Sequence, residues 1–170
     1  ILITLGAQNA LYILTSLLID RDSKVGMEDP GYTDARNMFR LRSDHVQLLP
    51  VDDKGLVVSS ALDDLDLVFT TPSHQFPTTV TMPLERRMAL LKRAHDHDFV
   101  VIEDDYEFET NYVNEPCPAL KSLDDDGRVL YVGSLSKTLF PGLRLGFMVG
   151  PRAFIAEARA LRRLMVRHAP

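Results

Sequence analysis

The 170-residue chain predicts an α/β fold: a three-layer arrangement in which a mainly parallel sheet carries helices on both faces. Three observations predict it. Apolar, β-branched runs alternate with segments of helical period along the whole chain. No internal repeat or low-complexity stretch interrupts that alternation. Several of the strand-like runs end abruptly in polar or Gly/Pro-rich turns, as strands do where a parallel sheet presents its carboxyl edge.

In order, residues 1–5 read as a buried strand and 7–18 as an apolar helix. A strand over 24–28 runs into the turn Asp29-Pro30-Gly31-Tyr32, followed by a helix over 33–40 and a strand over 45–49. Residues 59–65 carry a short helical pattern before a strand over 65–70, which enters the Pro-bracketed loop Thr71-Pro72-Ser73-His74-Gln75-Phe76-Pro77-Thr78. Pro83 marks the start of a helix over 84–97. Strands over 99–103 and 129–133 end in Asp104-Asp105-Tyr106 and Ser134-Leu135-Ser136-Lys137, respectively. A strand over 145–149 and a helix over 152–167 complete the pattern.

Composition narrows the function classes. Hydrophobic residues make up 45% and charged residues 25%, the balance of a globular domain, and the length suits one domain with a sizeable core. Net charge is −5 with no basic run. Arg159, Arg162, Arg163 and Arg167 share a helical segment with Phe154, Ile155, Leu161, Leu164 and Met165, so they read as the solvated face of a packed helix and not as a nucleic-acid surface. Cys117 stands alone in a Pro-flanked loop, which excludes an internal disulfide framework. No apolar run reaches the ~18 residues of a membrane span and no signal peptide is visible, so a cytoplasmic location is the expectation. His95-Asp96-His97 lacks a third ligand at suitable spacing, so no metal is expected. The chain has no initiator Met, opens within a strand and stops within a helix-like stretch, which suggests part of a longer protein.

The chemically loaded groups all fall at strand ends. Lys137 follows a strand within Gly-Ser-Leu-Ser-Lys-Thr; a partly desolvated lysine can lose its proton and form a Schiff base with a carbonyl compound. Asp104 and Asp105 are adjacent on a strand and point to opposite sides, so only one faces the crevice. An inward Asp can keep a pyridine nitrogen protonated, which lets the ring accept electrons, and Asp with Lys is the pair that pyridoxal 5'-phosphate (PLP) requires. Tyr106, two residues beyond Asp104, shares its side and could bond a phenolic oxygen or simply pack. Gly6-Ala7-Gln8 begins a helix, where free N–H groups and the dipole favour an anion; Ser134, Ser136 and Arg144 could complete that seat. Tyr32 could stack on a planar ring. His74 and Gln75 either line the pocket or stabilise their own loop.

Ser134-Leu135-Ser136-Lys137 followed by Pro141-Gly142-Leu143-Arg144-Leu145-Gly146 resembles the lysine segment of fold-type I, PLP-dependent aminotransferases. Within that superfamily, Glu28-Asp29-Pro30-Gly31-Tyr32, Ser73-His74-Gln75-Phe76-Pro77-Thr78 and Ile102-Glu103-Asp104-Asp105-Tyr106 are most similar to the effector domain of MocR-type regulators of the GntR group. The resemblance covers nearly the whole chain. It implies the PLP-dependent transferase large domain, with residues 1–170 its central part and both a small C-terminal domain and any N-terminal DNA-binding domain outside it. It implies Lys137 as the Schiff-base lysine, Asp104 at the pyridine nitrogen and Tyr106 at the phenolic oxygen. Ala7, Gln8, Ser134, Ser136 and Arg144 would take the phosphate, with Tyr32 on the ring. It also implies an amino acid or amine ligand, a homodimer, and contact with DNA only through a linked domain. A free-standing metabolic aminotransferase is the alternative. Thr79 stands where the family loop commonly has Gly, which implies an altered turn.

Overall fold

The computed structural model describes residues 1–106, 117–135, 142 and 144–166. Among them are β1 (Leu2–Thr4), α1 (Gly6–Leu18), β2 (Lys24–Asp29), α2 (Thr33–Arg40), β3 (His45–Asp52), β4 (Gly55–Leu56), β5 (Leu67–Thr70), α3 (Leu84–His97), β6 (Val100–Asp105), β7 (Val129–Ser134), β8 (Gly146–Val149) and α4 (Arg152–Met165). The strands form one sheet in the order β1-β8-β7-β6-β5-β2-β3-β4. The stretch from β3 through β2, β5 and β6 to β7 is parallel. β8 runs antiparallel to β7, β1 to β8 and β4 to β3. This is the mainly parallel, three-layer α/β fold that the alternation of strand and helix patterns predicts.

Central strands covered on both faces should be apolar throughout, and every residue of β5 is buried. Alternate residues supply two separate cores. On one face Met27, Phe69, Ile102 and Val132 pack under Leu11 and Leu14 of α1, Phe39 of α2 and Ile155 of α4. On the other, Val68, Val101 and Val129 pack under Leu90 and Ala94 of α3 and under Leu62 and Leu120. Neighbours such as Phe69 and Val68 thus serve opposite layers, the period-two rule of a strand. Truncating one of these buried side chains to Ala is expected to cost about 2–5 kcal/mol.

The helix over 84–97 forms with the bounds the sequence predicts. Pro83 enters it, Glu85 sits in its first turn and His95 and His97 in its last, in favourable order for the dipole. Asp98 closes it in the left-handed conformation, φ 60°.

Two expectations need correction. Residues 59–65 do not form a helix; only Ser60–Leu62 winds into one 3₁₀ turn, with the Ser59 hydroxyl accepting from the Ala61 N–H at 3.3 Å. The segment is too short to repay helix nucleation, and its Asp63 is instead drawn into paired hydrogen bonds from Arg93, at 2.6 and 2.9 Å. The strand read over 45–49 continues to Asp52 and folds back on β4. Pro50 does not end it, because Pro50 lies at the close of the register with β2, opposite Asp29. Among the described residues no helix is long and apolar enough to cross a membrane.

Candidate functional site

The carboxyl ends of the parallel strands β2, β5, β6 and β7 lie along one edge of the sheet. Two successive antiparallel pairings, β7 with β8 and β8 with β1, turn β1 to run with them, so the start of α1 reaches the same edge. Ligands of open α/β sheets bind at such an edge. A cavity of about 300 Å³ opens there, lined by Gly6, Ala7, Gln8, Tyr32, Thr71, Phe76, Asp104, Tyr106, Ser134 and Arg144.

At one end α1 begins at Gly6, which has φ 75°; the N-cap residue Leu5 offers no side-chain cap, and the Asn9 side chain accepts only from the Leu5 N–H, at 3.2 Å. The Arg144 guanidinium comes close: a Cβ placed on Gly6 would lie 3.5 Å from its Nη2. Gly146, at the start of β8, passes so near the Gly6 backbone that a Cβ there would stand 2.5 Å from the Gly6 carbonyl carbon. Positive φ at Gly6 and this backbone approach at Gly146 admit only glycine without rearrangement. A helix start without an N-cap side chain, beside an arginine, is a seat for an anion.

Aromatic rings form the wall. Tyr32 meets Phe76 edge-on at 5.8 Å, and Phe76 meets Tyr106 at 6.4 Å. The Gln8 side-chain amide donates to the Tyr32 hydroxyl at 2.6 Å.

Asp104 forms the other end, on β6, two strands from β8 and hence roughly 10 Å across the sheet. Asp104 and Asp105 point to opposite sides of the strand. The Asp105 Oδ2 accepts from the Ser73 hydroxyl at 3.0 Å and the Tyr131 hydroxyl at 3.2 Å. Asp104 turns to the cavity, is 4% exposed, and its Oδ1 has no hydrogen-bond partner among the described residues. Burial above all, then the charges of Asp105 and Glu28, push the Asp104 carboxyl up to about 7. A buried carboxylate lacking a partner is costly and asks for a cation or a donor. An anion seat, an aromatic wall and a buried carboxylate with one open oxygen fit PLP, whose phosphate, planar ring and protonated ring nitrogen need those three things.

Of the residues singled out in the sequence, Gly6, Ala7, Gln8, Tyr32, Asp104, Tyr106, Ser134 and Arg144 line this one cavity. His74 is not among the lining residues; its ring meets that of Tyr106 edge-on, with centroids 6.1 Å apart. Ser136 and Lys137 lie outside the described residues. The structure adds Thr71 and Phe76, which sequence reasoning passed over although both stand in the loop it singled out. Thr79 takes φ 65°, so the backbone adopts there a conformation natural to glycine despite the threonine. His95 and His97 pair with different carboxylates, Asp126 at 2.9 Å and Asp63 at 3.3 Å. Among the described residues no group of three potential ligands could hold a metal.

Comparison with known proteins agrees with the mainly parallel α/β fold. The chain is 48% identical over 170 residues to the HTH-type transcriptional regulator TauR of Rhodobacter capsulatus, covering 100% of this chain and 35% of that protein. It is 39% identical over 152 residues to the probable rhizopine catabolism regulatory protein MocR of Rhizobium meliloti, covering 89% and 31%. It superposes on the crystal structure of LysN, an α-aminoadipate aminotransferase from Thermus thermophilus, with a TM-score of 0.92 and 30% identity, covering 99% of this chain and 45% of that one. The chain thus spans about a third of the length of these regulators and under half of the solved enzyme. Residues 1–169 match the family described as aminotransferase class I and II, and the chain belongs to that family.

Proposed function

We propose that residues 1–170 are the central part of a PLP-binding large domain in a MocR/GntR-type transcriptional regulator, and that the domain senses an amino compound through a Schiff base on Lys137. The observation that carries the reading is Asp104, a buried carboxylate facing the cavity with one oxygen left without a partner among the described residues. When bound, the cofactor supplies an aldehyde that captures amines and a ring that withdraws electrons. The chain's own residues then have distinct tasks. Asp104 holds a proton at the ring nitrogen, and a cationic N–H there relieves the cost of its burial. Tyr106 stands for the ring oxygen, and Tyr32 for the ring face. Gly6, Ala7 and Gln8 at the start of α1, with Ser134, Ser136 and Arg144, hold the phosphate. His74 braces Tyr106 by an edge-on ring contact. The LysN structure contains N-(5'-phosphopyridoxyl)-L-leucine, which supports both the cofactor and an amino-acid ligand class.

The regulator reading draws on TauR and MocR, whose remaining length leaves room for a DNA-binding module and a small domain beyond the matched portion. In this reading the protein is a cytoplasmic homodimer and meets DNA only through that linked module. The likeness to LysN favours a second reading, a free-standing aminotransferase.

Absorbance spectroscopy of the full-length protein with PLP tests the proposal. A visible band is expected for the wild type and none for Lys137→Ala; identical spectra would refute it. Conversion of bound PLP to its pyridoxamine form by amino acids, at an enzyme's rate, would favour the second reading.

A further inference from the structure

Glu28, at the end of β2, is a buried carboxylate for which the cofactor assignment provides no task. Its Oε2 receives the Thr71 N–H at 3.2 Å, the Thr71 hydroxyl at 2.8 Å and the Gln75 side-chain amide at 3.2 Å. The Thr70 hydroxyl donates to its Oε1 at 2.5 Å. Thr71 Oγ1 itself accepts from the Phe76 N–H at 3.0 Å, which leaves the threonine hydrogen for Glu28. Among the described residues no cation pairs with Glu28. Neutral donors alone surround Oε2, the set that an ionised carboxylate uses. Burial pushes the Glu28 carboxyl up, and these same donors oppose that rise, favouring the ionised form, without cancelling it.

These bonds tie β2 to the loop that builds one cavity wall. Thr71 lines the cavity. Gln75 is fully buried and also donates to the carbonyls of Pro30 at 2.9 Å and Phe76 at 2.7 Å. Phe76 is thereby fixed against Tyr32 and Tyr106. Glu28 on β2 stands two strands from Asp104 on β6, across β5, and its charge adds to the rise of the Asp104 carboxyl. The titratable and charged groups whose fields reach that residue are Asp105 on its own strand, Glu28 from β2, Tyr131 from β7 and Tyr32 at the head of α2, with Tyr106 and Arg144 sharing the cavity.

We infer that Glu28 is a positioning residue of the cofactor site: its carboxylate latches the Thr71–Phe76 wall and sets a second negative charge behind Asp104, so that the ring nitrogen bound there keeps its proton. This rests on the PLP reading. In that setting the charge that is unfavourable beside an empty Asp104 becomes favourable once a cationic ring nitrogen lies against it.

The test uses full-length protein and PLP labelled with ¹⁵N in the ring. Nitrogen chemical shift is followed against pH, alongside the PLP dissociation constant, for wild type, Glu28→Gln and Glu28→Asp. For Glu28→Gln the nitrogen is expected to lose its proton about one pH unit lower, with about tenfold weaker PLP binding. Glu28→Asp keeps the charge but shortens the latch, so the wild-type nitrogen midpoint should return while binding stays weakened. An unchanged midpoint in Glu28→Gln overturns the inference even if that variant is less stable. Should Glu28→Gln not fold, Gln75→Leu cuts the latch and keeps the charge; weaker PLP binding with an unchanged midpoint supports the inference, and unchanged binding overturns it. Failure of the wild type to take up PLP at all would instead remove the cofactor reading beneath it.

Discussion

Glu103 and Asp104 are neighbours on β6, both buried carboxylates and both pushed up to about 7 by burial, yet they face opposite layers and meet opposite fates. Glu103 points to the α3 side. There it accepts from the backbone N–H groups of Leu120 and Lys121, each at 2.8 Å, and stands 3.6 Å from the fully buried Arg87 guanidinium. Arg87 in turn donates to the carbonyls of Met82, Pro72 and Pro118 at 3.0, 2.9 and 3.2 Å. Asp104 points to the cavity and keeps an oxygen with no partner among the described residues. The same chemical group is thus satisfied on the α3 face and keeps one open oxygen on the cavity face. A buried polar group without a partner destabilises a fold, so its retention marks function more clearly than a fully bonded one does.

The contrast can be broken from the structural side first. Arg87→Ala removes three carbonyl bonds and strands Glu103 without its cation, so unfolding by urea should show a loss of about 3–5 kcal/mol. A loss under about 1 kcal/mol would mean that Glu103 is not held by charge pairing. From the functional side, Asp104→Asn should weaken PLP binding about a hundredfold or more, close to 3 kcal/mol, while leaving the cofactor-free protein folded. Retained affinity would detach Asp104 from the ring nitrogen.

A pH series sharpens the comparison. A carboxyl raised from 3.8 to about 7 in the folded state binds a proton there that the unfolded chain has already released. Stability of the cofactor-free protein therefore carries a contribution from Asp104 that is present below pH 3.8 and is lost as pH rises towards 7. Denaturation of wild type against Asp104→Asn should show the variant gaining on the wild type across that window, by up to about 4 kcal/mol. PLP should erase the gain by giving the carboxylate a cation. A difference independent of pH would show that Asp104 titrates normally. The smallest effect concerns the loop after β5, where Thr79 holds φ 65°. Thr79→Gly should relieve that conformation at some cost in chain entropy, for a net gain of about 0.5 kcal/mol in thermal unfolding; a loss would show that the threonine side chain contributes something at that position.

Much of this architecture is written in local pattern. The helices over 33–40 and 84–97 have the predicted bounds because period, entry residues and charge order agree along each segment. The opposite orientations of Asp104 and Asp105 follow from strand geometry alone. The false helix over 59–65 and the missed β3–β4 hairpin share a different cause: a seven-residue apolar pattern and a proline do not determine structure locally, and what settled them was Arg93 on α3 and the register with β2.

By itself the sequence determined the alternation of strands and helices, the two-sided burial of the central strands, and the placing of Asp, Tyr, Ser and Gly groups at strand ends, because each depends on residues near one another in the chain. Only the tertiary structure decided the strand order, the joining of Gly6, Arg144 and Asp104 around one cavity, and which buried carboxylates found partners. Those outcomes depend on contacts between segments separated by tens of residues, and no local period encodes whether a distant donor arrives.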